Sequence, residues 1–150
     1  MPQSLAQIYI HSIFSTKHRL PILHDDVRES LHRYAATVLK NIECPPVLIN
    51  SVDDHVHILH ELGRTISISD AVQEVKASTS RWLKSQSPRL SDFAWQSGYG
   101  AFSVSCSNVD VVRAYIADQR EHHRTTTFKD EFLAFLERHE VDYDARYVWD

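Results

Sequence analysis

Two periodicities of apolar residues run through this chain, one suited to strands and one to helices. The stretch "QIYIHSIFS" (7–15) is dense in β-branched and aromatic side chains and predicts a strand. Val27, Leu31, Tyr34, Ala35, Val38 and Leu39 then recur at helical spacing, and Asp26 followed by Glu29 has the form of a capping box, so a first helix is expected there. The prolines of "ECPPVLINSV" (43–52) break the pattern before it resumes as a strand, and Asp53 and Asp54 can turn the chain back into "HVHILHEL" (55–62), a hairpin. After Gly63, Ile68, Val72, Val75, Trp82 and Leu83 share one side of a second helix over 67–84, with Ser67 or Ser69 as cap. "DFAWQSGYGAFSVS" (92–105) holds two short β-prone runs punctuated by Gly98 and Gly100. Asn108 can cap a third helix, "VDVVRAYIADQREHH", and Thr127 a fourth, "FKDEFLAFLERH", in which Phe128, Phe132, Phe135 and Leu136 share a face.

The order strand, helix, strand, strand, helix, strand, with helices appended, predicts an α+β fold of the ferredoxin-like split β-α-β kind. Its antiparallel sheet carries helices on one face, plus the C-terminal helices, and leaves the other face or an edge for a site. No repeat, low-complexity tract or linker divides the 150 residues, so a single domain over 1–150 is expected, and 43% hydrophobic content suffices for a core. No apolar run approaches the roughly 20 residues that span a bilayer, and the start lacks a signal-peptide pattern, so a cytoplasmic protein without a membrane partner is expected. Cys44 and Cys106 form no C-x-x-C pair, which argues against a disulfide framework or a cysteine zinc site.

The histidines change this bland picture. In "HVHILHEL", His55 and His57 point to one face of a strand while Val56 and Ile58 point to the other, making a two-pronged nitrogen clamp. His60 falls on the opposite face and reads as structural. Two imidazoles rarely hold a divalent ion alone, so a third ligand must come from elsewhere. On the third helix, at about 100° per residue, Tyr115 and Gln119 lie roughly 40° apart on one flank, one turn separated. The Gln119 carbonyl oxygen suits a hard cation such as Mg²⁺ or Mn²⁺; His122, about 20° from Tyr115 by the same count, could replace it or touch substrate.

Charge first argues against a nucleic-acid partner, since the net value is −4. Between Phe128 and Asp150, however, seven acids face three bases, which accounts for the whole of that charge and leaves the first 127 residues neutral. That acidic end could limit non-specific DNA binding or meet the basic face of a second subunit. Within the neutral part, Lys76, Arg81, Lys84 and Arg89 occupy "VKASTSRWLKSQSPRL" (75–90) with no acid between them, and Lys17 and Arg19 add a second basic cluster.

"HVH" resembles the His-hydrophobic-His signature of the HUH nucleases, and "YIADQ" resembles the Tyr-x-x-x-Gln helix of the single-tyrosine transposases in that superfamily. "YIHSIFSTKHRLPIL", "DHVHIL" and "GYGAFSVS" are likewise similar to small insertion-sequence transposases and REP-associated tyrosine transposases, so the likeness runs through essentially the whole chain. The resemblance implies a metal-dependent transesterase acting on single-stranded DNA, with His55, His57 and Gln119 as ligands of Mg²⁺ or Mn²⁺ and Tyr115 as nucleophile. It also implies a homodimer that reads DNA hairpins and passes through a 5′-phosphotyrosine intermediate. Lys17, Arg19, Lys76, Arg81, Lys84, Arg89 and His122 would then be DNA contacts, and Trp82 or Trp95 stacking platforms, although Trp82 also has core spacing. The alternatives within the resemblance are a non-catalytic, domesticated hairpin-binding protein and a replication-initiator or relaxase-like nuclease.

Overall fold

In the computed structural model, which describes residues 2–150, four strands pair antiparallel in the order β2-β3-β1-β4. They are β1 (Tyr9–Ser15), β2 (Pro46–Ser51), β3 (His55–Glu61) and β4 (Gly100–Val104). Helix α1 (Asp25–Asn41) joins β1 to β2 and α2 (Ile68–Gln86) joins β3 to β4, the split ferredoxin-like arrangement expected from the order of elements. Three more helices follow: α3 (Val109–Ala117), the single turn α4 (Gln119–His122) and α5 (Phe128–Arg138). No helix is long and apolar enough to cross a membrane among the described residues.

Alternation along β1 and β3 sorts the core into two layers. Phe14, Val56 and Ile58 pack with Leu31, Leu39, Val72, Val75 and Leu83 under α1 and α2. On the other face, Ile13 and Phe102 meet Phe128, Phe132, Phe135 and Leu136 of α5. That second face is thus closed over by the C-terminal helices, and the histidine pair of β3 lies between sheet and helices.

Several local expectations need correction. Helix α1 begins at Asp25 with His24 at its N-cap and no side-chain cap bond. The Asp26–Glu29 capping box does not form, and Asp26 instead accepts from Arg89 at 2.7 Å. Helix α2 is capped as anticipated, Ser67 Oγ accepting from the Asp70 amide at 3.0 Å. Only the second β-prone run of 92–105 becomes a strand; the first makes a single bridge, between Thr16 and Trp95. Trp95 is buried there, edge-on to Phe14 and Phe93, and its indole N–H donates to Thr79 Oγ1 at 2.9 Å, so it cannot stack on a base. Trp82 lies stacked on Tyr34 at 5.3 Å.

Where α5 seats on β4, backbone and ring come close. A Cβ at Gly100 would stand 2.6 Å from Phe132 Cε2 and 3.1 Å from Phe102 Cε2. Gly100→Ala should lower the urea midpoint by the equivalent of about 1–3 kcal/mol, the usual cost of overpacking. An unchanged midpoint would show that α5 is not seated there.

His32, on α1, has Nε2 2.7 Å from Ser51 Oγ, and burial, helped by nearby Arg28, pulls its pKa down to about 4. The unfolded chain takes up this proton near pH 6.5 and the folded chain only near pH 4, so stability falls as pH drops through that window and levels off below it. The contribution is at most about 3 kcal/mol. Urea melts at pH 7 and pH 4.5 check this: His32→Gln should lose less stability on acidification than wild type, and equal losses would exclude His32 as a source.

Candidate metal centre

His55 and His57, two apart on β3, point into the layer beneath the C-terminal helices, and both are fully buried. The His55 Nδ1–H donates to Asp54 Oδ1 at 2.7 Å, and His57 Nδ1 lies 2.8 Å from His11 Nε2 on β1. His123, just after α4, donates from Nδ1 to the Thr126 carbonyl at 2.6 Å. Outer partners at Nδ1 fix each ring and turn all three Nε2 atoms toward a common centre, with each imidazole braced from behind as metal-binding histidines are.

At that centre sits Glu131 of α5. Its Oε1 lies 2.8 Å from His57 Nε2 and 3.2 Å from the Nε2 atoms of His55 and His123. Its Oε2 accepts from Gln119 Nε2 at 3.1 Å and from the Tyr115 hydroxyl, and lies 3.3 Å from His122 Nε2. Gln119 Oε1 stands 2.9 Å from His123 Nε2 and 3.4 Å from His55 Nε2.

The electrostatics follow from this packing. Burial alone would raise the Glu131 pKa, but the hydrogen bonds from His123, His55 and His57 outweigh it and hold the carboxyl far below the usual carboxylate range. Burial would lower His55, yet Asp54 and Glu131 together leave it raised. His57 is pulled down to about 4 by burial, which Glu131 offsets only in part. Glu131 is therefore held ionised among the imidazoles. Burial, then Glu131, pushes the Tyr115 phenol up, so in this packing it stays a phenol at neutral pH.

A break in the backbone brings Tyr115 and Gln119 to the cluster. Asp118, at φ −97° and ψ 20°, ends α3, and Asn50 of β2 donates its Nδ2–H to the freed Ile116 carbonyl at 2.8 Å. Gln119 then opens α4 with its side chain buried beside the histidines. Tyr115 borders His57, ring centroids 6.0 Å apart.

Of the residues singled out from sequence, the structure brings His55, His57, Tyr115 and Gln119 together. His122 reaches the Tyr115 hydroxyl at 3.2 Å, while its neighbour His123 takes the inward position. The basic residues lie apart. Lys76, Arg81 and Lys84 are on α2, which packs on the opposite face of the sheet. Lys76 Nζ donates to the carbonyls of Ser97 (3.2 Å) and Gly98 (2.7 Å), and burial draws its pKa down to about 8. Arg89 is spent on Asp26 and the Ile22 carbonyl, and the Arg19 guanidinium lies over Trp149. Lys17, Arg81 and Lys84 are exposed. Beside the cluster, a cleft of about 690 Å³ runs between Asp54, Arg120, His123, Arg124 and Phe128.

Sequence reasoning assigns none of Glu131, His123 and His11 to the centre as a ligand or as a brace for one. Composition places Glu131 among the acids of the C-terminal stretch, yet it lies three residues after Phe128 and four before Phe135, on the apolar stripe of α5. An acid on such a stripe is the signal that was there to read.

The family model for IS200-like transposases matches residues 4–119. Among solved structures, the chain is similar to a Deinococcus radiodurans R1 protein described as a transposase, at 23% identity and TM-score 0.62, covering 79% of this chain and 98% of that one. It is also similar to a REP-associated tyrosine transposase bound to a REP hairpin, at 13% identity and TM-score 0.58, covering 82% of this chain and 74% of the other. No curated protein matches it.

Proposed function

The chain belongs to the IS200-like transposase family, DNA-cleaving enzymes, and from that premise we propose that it cuts and rejoins single-stranded DNA beside hairpins through a phosphotyrosine at Tyr115. The observation that carries this reading is the meeting of the Tyr115 hydroxyl with Glu131, Gln119, His55 and His57 in one buried cluster built from a single chain. The reading takes residues 1–150 as one catalytic domain.

The donors fit a divalent ion: three inward Nε2 atoms, a carboxylate and an amide oxygen converge, with the imidazoles anchored from behind. His55, His57 and Gln119 would hold Mg²⁺ or Mn²⁺, which when bound withdraws charge from the phosphate oxygens and favours in-line displacement. Tyr115 supplies the nucleophile. Its Oη gives up the proton it donates toward Glu131 Oε2 and bonds to phosphorus, the bond from phosphorus to the 3′ oxygen breaks, and that oxygen takes up one proton and leaves as a hydroxyl, so no net proton is consumed. The 5′ phosphate stays on Tyr115 until another 3′ hydroxyl attacks it and frees the phenol, so the phosphodiester energy is conserved and no nucleotide cofactor is needed. The cleft beside His123 is the approach for the strand, with Arg120 and Arg124 at its wall. Lys17, Arg19, Arg81 and Lys84 would serve as outlying phosphate contacts. The neighbour bound to a REP hairpin supports hairpin DNA as the substrate class. A homodimer would bring two ends together.

The test is incubation with 5′- and 3′-labelled single-stranded hairpin oligonucleotides and Mg²⁺ or Mn²⁺, followed by a denaturing gel. A protein band carrying the strand 3′ of the cut is expected, with duplex DNA inert. Cleavage without that band, or no reaction on any hairpin, overturns the reading.

A further inference from the structure

We propose that Glu131 and His123 are themselves ligands of the ion held by His55 and His57. Together with the Gln119 amide oxygen, the clamp thereby becomes a centre of three imidazoles and one carboxylate that takes Mn²⁺ or another transition metal in preference to Mg²⁺. The inference rests on the metal-dependent reading above and extends it to residues outside the Tyr-x-x-x-Gln pattern.

Four observations carry it. Ligand atoms of His55, His57, His123 and Glu131 all lie within 4.8 Å of one another, as donors around one ion do. The 3.2 Å spacings from Glu131 Oε1 to the Nε2 atoms of His55 and His123 fall within the edges of a coordination polyhedron with bonds of about 2.1 Å, which run from about 3.0 Å (octahedral) to 3.4 Å (tetrahedral), and the 2.8 Å spacing to His57 lies just below them. His123 is anchored through Nδ1 in the same manner as His55 and His57, so all three rings are prepared for one task. Finally, Glu131 is 3% exposed on an otherwise apolar helix face, a costly place for a carboxylate unless it faces positive charge. Nitrogen-rich sites with one carboxylate suit Mn²⁺, Fe²⁺ and Zn²⁺, whereas Mg²⁺ prefers oxygen and retained water.

Isothermal titration of the full chain with Mn²⁺ and with Mg²⁺ tests this directly. One Mn²⁺ should bind at least about tenfold more tightly than Mg²⁺, and Glu131→Gln and His123→Ala should each weaken Mn²⁺ binding by about 10- to 100-fold. Circular dichroism of each variant reports whether it still folds. X-ray absorption of Zn²⁺-loaded wild type gives an independent count, with scattering from three imidazoles expected. Wild-type or tighter Mn²⁺ affinity in Glu131→Gln, or scattering from only two imidazoles, overturns the proposal. Unaltered Mn²⁺ affinity in Glu131→Gln alongside a wild-type covalent adduct would remove this inference and leave the transposase reading standing. The expected metal binding without any adduct would do the reverse.

Discussion

Tyr115→Phe should abolish the covalent protein–DNA band while leaving hairpin binding, read by gel shift, unchanged. The substitution removes one oxygen, the atom that in the proposed reaction bonds to phosphorus, so the expected effect is loss of the product and not a slower version of it. The fold should tolerate the change. Tyr115 donates to Glu131 Oε2, but that oxygen also accepts from Gln119 Nε2 at 3.1 Å, so the carboxylate is not left without a partner. The stability loss should therefore stay near the lower end of the about 1–3 kcal/mol typical of a severed buried hydrogen bond, read as a small drop in thermal midpoint. An adduct that persists in Tyr115→Phe would move the nucleophile to another residue and end the present assignment. Loss of hairpin binding together with the adduct would instead give Tyr115 a place in recognition.

What could be read from sequence, and what could not, divides along the range of the interactions. Strand alternation placed His55 and His57 on one face and His60 on the other because the pleat alone dictates it, and β3 is regular through all three. Helical periodicity likewise located α1, α2 and α5. It fails at Asp118, where every residue from Val109 to His123 is compatible with a helix and the freed Ile116 carbonyl is taken by a partner 66 residues away from it, Asn50. An unbroken helix puts His122 beside Tyr115 on the inward flank; the break rotates the following turn so that His123 points inward. The basic stretch was read by composition alone, which says nothing about which face of the sheet α2 would cover or that Lys76 would be consumed by two carbonyls. Glu131 was hidden by the opposite habit, since an acid amid other acids reads as solvated charge until its position on the apolar stripe is counted.

His57→Ala should cost more than any other substitution in the sheet, and His60→Ala, three residues on, should cost the reaction nothing. His57 stands 2.8 Å from Glu131 Oε1 and is braced at Nδ1 by His11, so its removal takes a donor from the centre and leaves a gap where an ion would sit. Metal-assisted charge stabilisation is worth several kcal/mol at a phosphate, and each 1.36 kcal/mol is tenfold in rate. Adduct formation should thus fall by about 10²- to 10⁴-fold in His57→Ala, with Mn²⁺ binding lost in titration. His60 is just as buried, at 2% exposed, but points into the α1–α2 layer beside Ser12 and Ile58 and donates only to the Glu61 carbonyl. Its alanine variant should melt at lower temperature and still form adduct at the wild-type rate per folded molecule. Comparing these two variants separates a chemical role for one face of β3 from a general loss of stability, because both remove a buried imidazole from the same strand. Equal losses of adduct in the two would mean that strand integrity, not the imidazole clamp, governs the reaction, and the metal centre would lose its claim on catalysis.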